Sequence, residues 1–110
     1  MTKQALVITT AGTHEVIEDI SLKTLQAKVG GWVQAIDLDE DVTLWANEEG
    51  KLEGLPVNAF ATAIWESVFG VGTDIIVGDI VLTGGTDEEG ETLGLQDFII
   101  KNLIEILEEA

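Results

Sequence analysis

The chain is expected to fold as α+β: a small mixed, largely antiparallel sheet packed by two to three helices. Three observations predict this. Short β-branched or alternating segments are separated by brief turns, the pattern of hairpins. Longer segments place apolar residues at i, i+3 and i+4, the pattern of helices with one buried face. Hydrophobic residues make up 45% of the 110 residues, enough for a core in a chain whose length suits one domain, residues 1–110.

The elements follow in order. Gln4–Thr10 (QALVITT) is apolar and β-branched, and Ala11-Gly12-Thr13 turns it back into His14–Glu18, an opening β-hairpin. Ser21 is placed to cap a short helix, LKTLQAKV, in which Leu22, Leu25 and Val29 keep helical spacing and which Gly30-Gly31 stops. Trp32–Leu38 alternates, with Trp32, Gln34, Ile36 and Leu38 on one face and Val33, Ala35 and Asp37 on the other. After an acidic loop, Val42–Ala46 is a strand, followed by turns at Asn47–Gly50 and up to Pro56. Asn58 caps the best helix, where Phe60, Ala61, Ile64, Trp65, Val68 and Phe69 mark one face and Gly70 and Gly72 end it. Asp74–Gly85 is a strand with a bulge or bend at Gly78. Thr92–Leu95 pairs back across an acidic turn, and a terminal helix runs over about 96–109.

Charge narrows the function. Twenty-one Asp and Glu stand against five lysines and no arginine, a formal net charge of −16. Anions are held by Arg forks, Lys or helix N-termini, so direct binding of nucleic acid or an acidic membrane is disfavoured. A basic partner or a cation suits the charge better, and so does simple solubility in a saline cytoplasm. No apolar run reaches membrane-spanning length, and the opening MTKQALVITTAG is too short and strand-like for a signal peptide. A soluble protein of the cytoplasm is expected.

Catalytic chemistry is thinly supplied. There is no cysteine, His14 is the sole histidine, and Ser21 and Ser67 are the serines, with no Gly-x-Ser-x-Gly elbow. Gly70–Ile75 (GVGTDI) opens like a dinucleotide fingerprint but places Ile75 at the third glycine and leads into a strand. Asp37, Asp39, Asp41 and Glu48 match the first, third, fifth and twelfth positions of an EF-hand loop, yet Val42 stands where that loop needs glycine. They are a weak candidate for Ca²⁺ or Mg²⁺; no cofactor is expected.

Trp32, Trp45 and Trp65 sit in apolar periodic segments and are expected in the core. On the terminal helix, Leu95, Phe98, Ile99, Leu103, Ile106 and Leu107 form one stripe, and Ile100 and Ile104 widen it. Either the helix is deeply buried or its second ridge meets another subunit; the second is the expectation, with Ile100, Ile104 and Leu107 as the candidate contact of a homodimer.

Three stretches, Leu25–Leu38 (LQAKVGGWVQAIDL), Asn47–Asn58 (NEEGKLEGLPVN) and Asp74–Glu91 (DIIVGDIVLTGGTDEEGE), closely resemble the family catalogued as domain of unknown function 3846. The resemblance spans roughly Ala5 to Leu95, and the chain departs from the pattern in a helical segment, Ala59–Gly72, between the Gly-Leu-Pro turn and the following strand. It implies a phage or mobile-element setting and carries over no catalytic residue.

A small acidic protein in that setting suggests a DNA mimic. Area scaling gives about 5,900 Å² for this mass, one net charge per ~370 Å², against one per ~110 Å² for a duplex treated as a smooth cylinder. Evenly spread, the charge is about threefold too dilute. Mimicry requires three acidic loops to share one face: Asp37, Asp39, Glu40 and Asp41; Glu48, Glu49 and Glu53; and Asp87, Glu88, Glu89 and Glu91. The expected function is a non-enzymatic accessory protein that binds a basic host protein, such as a nucleic-acid-binding enzyme, in an anti-defence or regulatory role. The alternatives are a module that binds or sequesters a small ligand or cation, and a structural oligomer.

Overall fold

Residues 3–109 are described by a computed structural model. Among them are five strands, β1 (Ala5–Ile8), β2 (His14–Ile17), β3 (Val33–Asp39), β4 (Val42–Asn47) and β5 (Ile80–Thr83), and three helices, α1 (Leu22–Val29), α2 (Ala59–Phe69) and α3 (Asp97–Glu109). The strands form a fully antiparallel sheet in the order β2-β1-β5-β4-β3. This is the expected α+β architecture, with the short β5 at its centre.

The period of two along each strand decides which helix it meets. Leu6 and Ile8, Ile80 and Leu82, and Leu44 and Ala46 face the side covered by α2 and α3, where they join Ala61, Ile100 and Leu107 in the larger core. Ala5, Val7 and Val81 face the other way, onto Leu25 and Val29 of α1. β1, β5 and most of β4 are thus buried on both faces. Leu6, Ile8, Leu44, Ile80 and Leu82 are fully buried, and each such side chain contributes roughly 1.5–3 kcal/mol of transfer free energy.

Local chemistry sets the helix ends. The Ser21 hydroxyl accepts from the Thr24 amide, and Asp19 accepts from both the Ser21 amide at 2.8 Å and the Thr24 hydroxyl at 2.7 Å. At the other end Gly30 takes φ of 80°, and its amide and that of Gly31 both close on the Gln26 carbonyl. Asn58 caps α2 by accepting from the Ala61 amide at 3.0 Å.

The strand expected over Asp74–Gly85 is divided. Gly78 adopts φ of 79°, which turns the chain, so only Ile80–Thr83 joins the sheet while Val77 makes an isolated bridge with Val57. The return segment Thr92–Leu95 likewise forms no strand. It closes the acidic turn through a Thr86–Thr92 bridge and then hands the chain to α3 by a Leu95 amide bond to the Gln4 carbonyl at 2.7 Å.

Two expectations about apolar residues are corrected. Trp32 is 68% exposed: it precedes β3, an outer strand of the sheet, and lies outside both core clusters. Trp45 and Trp65 are half-buried, and their indole N–H groups donate to the hydroxyls of Thr83 and Thr73 at 2.8 and 2.9 Å. On α3, Ile100 and Leu107 turn into the protein's own core and Ile104 packs against it. The three side chains expected at a homodimer contact are thus spent on the sheet, and the apolar residues α3 presents outward are Phe98 and Ile106.

Candidate functional site: an acidic end of the sheet

Antiparallel pairing sorts the loops between two ends. Ala5 pairs with Ile17, Leu6 with Leu82, and Thr43 with Thr83, so the start of β1, the end of β2, the end of β5 and the β3–β4 turn share one end. Two of the expected acidic loops meet there: Asp37–Asp41, and Asp87–Glu91, which rises from β5. The first lines a shallow groove, Asp37, Asp39, Glu40 and Asp41 with Gly85, Thr86 and Leu93, residues that flank the second. Glycine makes the approach possible. A Cβ on Gly85 would lie 2.0 Å from the Glu40 carbonyl oxygen.

The same end gathers carboxylates that sequence reasoning missed. Glu18 and Asp19, which follow β2, line a cleft with Ser21, Lys3, Glu91 and Thr92. With them the end carries Glu18, Asp19, Asp37, Asp39, Glu40, Asp41, Asp87, Glu88, Glu89 and Glu91. Lys3, in the same cleft, donates to the Thr92 carbonyl at 3.0 Å. Among the described residues the ion pairs are Lys28–Glu15 and Lys51–Asp74, and neither involves this end.

Several of these carboxylates also build the turns that present the others. Asp87 Oδ1 accepts from the amides of Glu89 and Glu91 at 2.8 and 2.9 Å, and Gly90 closes the turn at φ of 83°. Asp39 Oδ1 accepts from the Asp41 amide at 2.7 Å, and Asp37 accepts from the Thr43 hydroxyl at 3.2 Å. Hydrogen bonds from the Thr24 hydroxyl, then from Ser21, hold the Asp19 carboxyl below its ordinary pKa. The side chains of Glu18, Glu40, Asp41, Glu88, Glu89 and Glu91 are exposed and take no part in these bonds.

The third acidic loop does not join them. Glu48, Glu49 and Glu53 follow β4, at the opposite end of the strand that Asp41 precedes; six residues at about 3.3 Å each separate the two. The same separation dissolves the EF-hand pattern, since Glu48 cannot converge with Asp37, Asp39 and Asp41. Among the described residues no group of three or more His, Cys, Asp or Glu is arranged to hold a metal ion.

That opposite loop has a structural task instead. The Asn47 side chain is buried, donates to the Val29 carbonyl and to Glu53 Oε1 at 3.3 and 3.1 Å, and accepts from the Glu49 amide at 2.8 Å. It ties the end of α1 to the Glu48–Gly54 turn. The Asn-Glu-Glu-Gly-Lys and Gly-Leu-Pro pieces therefore form a clasp: Gly50 packs where a Cβ would meet Val77, and Gly78 where one would meet Leu55.

Nucleophile chemistry finds no assembled centre in the described residues. Ser21 is a helix cap and Ser67 donates to the Ile64 carbonyl at 2.7 Å, while His14 opens β2 at the end away from Ser21. A groove of about 290 Å³ lies between β3 and α2 and is lined by Gln34, Ile36, Lys51, Trp65, Asp74 and Ile75 among others. The Lys51 ammonium and then the Ile75 amide hold the Asp74 carboxyl below its ordinary pKa. No described helix is long and apolar enough to cross a membrane.

No curated protein and no solved structure matches the chain. A family model does, over residues 1–108, and it covers the very segments that build the Asn47 clasp, the central strand and the acidic turns. The chain belongs to the family described as Domain of unknown function (DUF3846).

Proposed function

We propose that the protein is a non-catalytic accessory protein of a phage or mobile element, and that its acidic end engages a basic surface on a host protein. The observation that carries this reading is the gathering of Glu18-Asp19, the β3–β4 turn and the Asp87–Glu91 turn at one end of the sheet, where Lys3 donates to the Thr92 carbonyl. A net charge of −16 over 6503 Å² is one per about 400 Å², nearly fourfold more dilute than a duplex. Gathering at one end raises the local density toward that of nucleic acid, which favours basic sites that ordinarily hold phosphates. A host enzyme that binds nucleic acid fits this chemistry, and competition for its basic groove would serve an anti-defence role inside the bacterial cytoplasm.

The test is affinity capture of host nucleic-acid-binding proteins at rising salt. Exposed charges are screened within about 8 Å at physiological ionic strength, so capture should fall steeply between about 0.05 and 0.5 M NaCl, and duplex DNA should displace the captured protein. Capture that ignores both salt and DNA refutes the reading.

The groove between β3 and α2 supports a second reading, a small-ligand module. Its volume of about 290 Å³ sits at the lower bound of ligand sites, and Trp65, Lys51 and Asp74 supply an aromatic face and both charges. A thermal-shift screen separates the readings, because a specific ligand raises the melting point as its concentration exceeds Kd.

A further inference from the structure

We propose that the open edge of β3 is a self-association surface, through which two copies pair antiparallel about a twofold axis at Gln34 and join their sheets into one. β3 is an outer strand. The Glu48 amide donates to the Trp32 carbonyl at 2.8 Å, so the bonds to β4 lie at the even residues and Val33, Ala35 and Asp37 point their N–H and C=O groups outward. The usual edge protections are present only near the end of the strand: a register shift between Asp37 and Asp39, and the acidic turn beyond it. From Trp32 to Ile36 the edge carries no charge, proline or glycine, and Trp32 is 68% exposed. The opposite outer strand, β2, is shorter, four residues against seven.

Unpaired backbone groups accept any strand; three features select a second copy. With Gln34 opposite the second copy's Gln34, Val33 of each copy faces Ala35 of the other, and all the outward groups of both residues are satisfied reciprocally. The same register sets Trp32 across from the second copy's Ile36, an aromatic and β-branched pair of the kind that stabilises cross-strand contacts. It also sends the two Asp37–Asp41 turns to opposite ends of the joined sheet, whereas parallel pairing would lay them side by side. The contact is short, well below the roughly 1,200 Å² of a standard interface, and each copy carries −16. The dimer is therefore weak, and salt strengthens it, the reverse of the salt response of a basic partner at the acidic end.

The chain has no cysteine, so Gln34→Cys introduces a single thiol. Antiparallel neighbours that share no hydrogen bond lie with Cα atoms about 4.5 Å apart, within disulfide reach. Under mild oxidation the Q34C variant should form a covalent dimer at least about tenfold faster than E88C, whose thiol lies in the exposed acidic turn, and faster at about 1 M than at about 0.05 M NaCl. Sedimentation of the unmodified protein should show a dimer fraction that rises with salt, and Ala35→Pro, which removes an outward amide, should abolish it with an unchanged circular dichroism spectrum. If A35P fails to fold, the Q34C rate decides. The proposal is overturned if Q34C cross-links no faster than E88C, if the protein sediments as a monomer at every salt, or if F98S and I106S abolish the dimer while A35P does not. It is equally overturned by a monomer whose Val33 and Ala35 amides respond only to an added extended basic peptide.

Discussion

Asn58 Nδ2 donates to the Ile8 carbonyl at 3.1 Å, across fifty residues of sequence. The same amide group donates to the Gly78 carbonyl at 3.0 Å, and Asn58 Oδ1 accepts from the Ala61 amide at 3.0 Å. One side chain, 1% exposed, thus joins the end of β1, the bend before β5 and the first turn of α2. Asn58→Ala removes the cap, worth about 1 kcal/mol, and strands the Gly78 carbonyl in the interior at about 1–3 kcal/mol, while the Ile8 carbonyl loses one of its donors and keeps its place opposite Ile80 in the sheet. Chemical denaturation should show a loss of about 2 kcal/mol or more, with a melting point lower by about 10 °C. A loss under about 1 kcal/mol would mean that water reaches the Gly78 carbonyl.

Gly85 is the hinge between the two acidic turns. Its Cβ would meet backbone, the Glu40 carbonyl oxygen at 2.0 Å, so no rotamer change relieves the clash. Gly85→Ala should destabilise by roughly 1–3 kcal/mol and shift the amide resonances of Glu40 and Asp41. Gly12→Ala makes the contrast: nothing lies within 4 Å, and strain at φ of 83° is its whole effect, about 1 kcal/mol.

The three tryptophans should report their different surroundings. Trp32 is open to solvent, while Trp45 and Trp65 are half-buried with bonded indoles. Trp32→Phe should blue-shift the emission and remove most of the quenching by acrylamide, a neutral quencher suited to so acidic a surface. Emission and quenching unchanged by this substitution would place Trp32 under cover.

Acid should weaken two local contacts. Asp19 and Asp74 both have carboxyls held below the ordinary value, Asp19 by Thr24 and Ser21 and Asp74 by Lys51 and Ile75. A carboxyl lowered on folding adds stability that is complete above its unfolded pKa of about 3.9 and is lost as pH falls through the lower folded value. Asp19→Asn and Asp74→Asn should therefore lower Tm slightly at pH 7, and the gap to the parent should close toward about pH 2. The effect is small because both groups are on the surface. A gap that widens in acid contradicts the assignment.

Much of the fold was legible because its signals are local. Ser21, Asn58 and Gly30 act within a few residues of the helix ends they mark, and the alternation along Trp32–Leu38 correctly assigned its two faces. What the alternation does not encode is whether a face is covered at that point, and so periodicity alone predicts Trp32 inside. On the terminal helix the broad stripe reflects deep burial and not a second subunit: Ile100 and Leu107 join the core that α2 shares with the sheet.

The separation of the acidic loops is legible in the sequence. A strand between Asp41 and Glu48 forces them to opposite ends, since each residue advances the chain by about 3.3 Å. The recruitment of Glu18 and Asp19 was not available, because it depends on β1 pairing with both β2 and β5, contacts distant in sequence. The segments that most resemble the family proved to be architectural: Asn47, Gly50, Asn58 and Gly78 hold the clasp.

The most direct measurement of the central claim compares two neutralised variants for salt-dependent capture of a basic host protein. One carries E40Q, E88Q, E89Q and E91Q at the acidic end; the other carries E48Q and E49Q at the opposite end together with E108Q and E109Q on α3. If the acidic end is the binding surface, the first set weakens binding at least tenfold, about 1.4 kcal/mol, and flattens its dependence on salt, while the second changes it less than about threefold. Equal losses from both sets would contradict the account and leave net charge alone as the determinant.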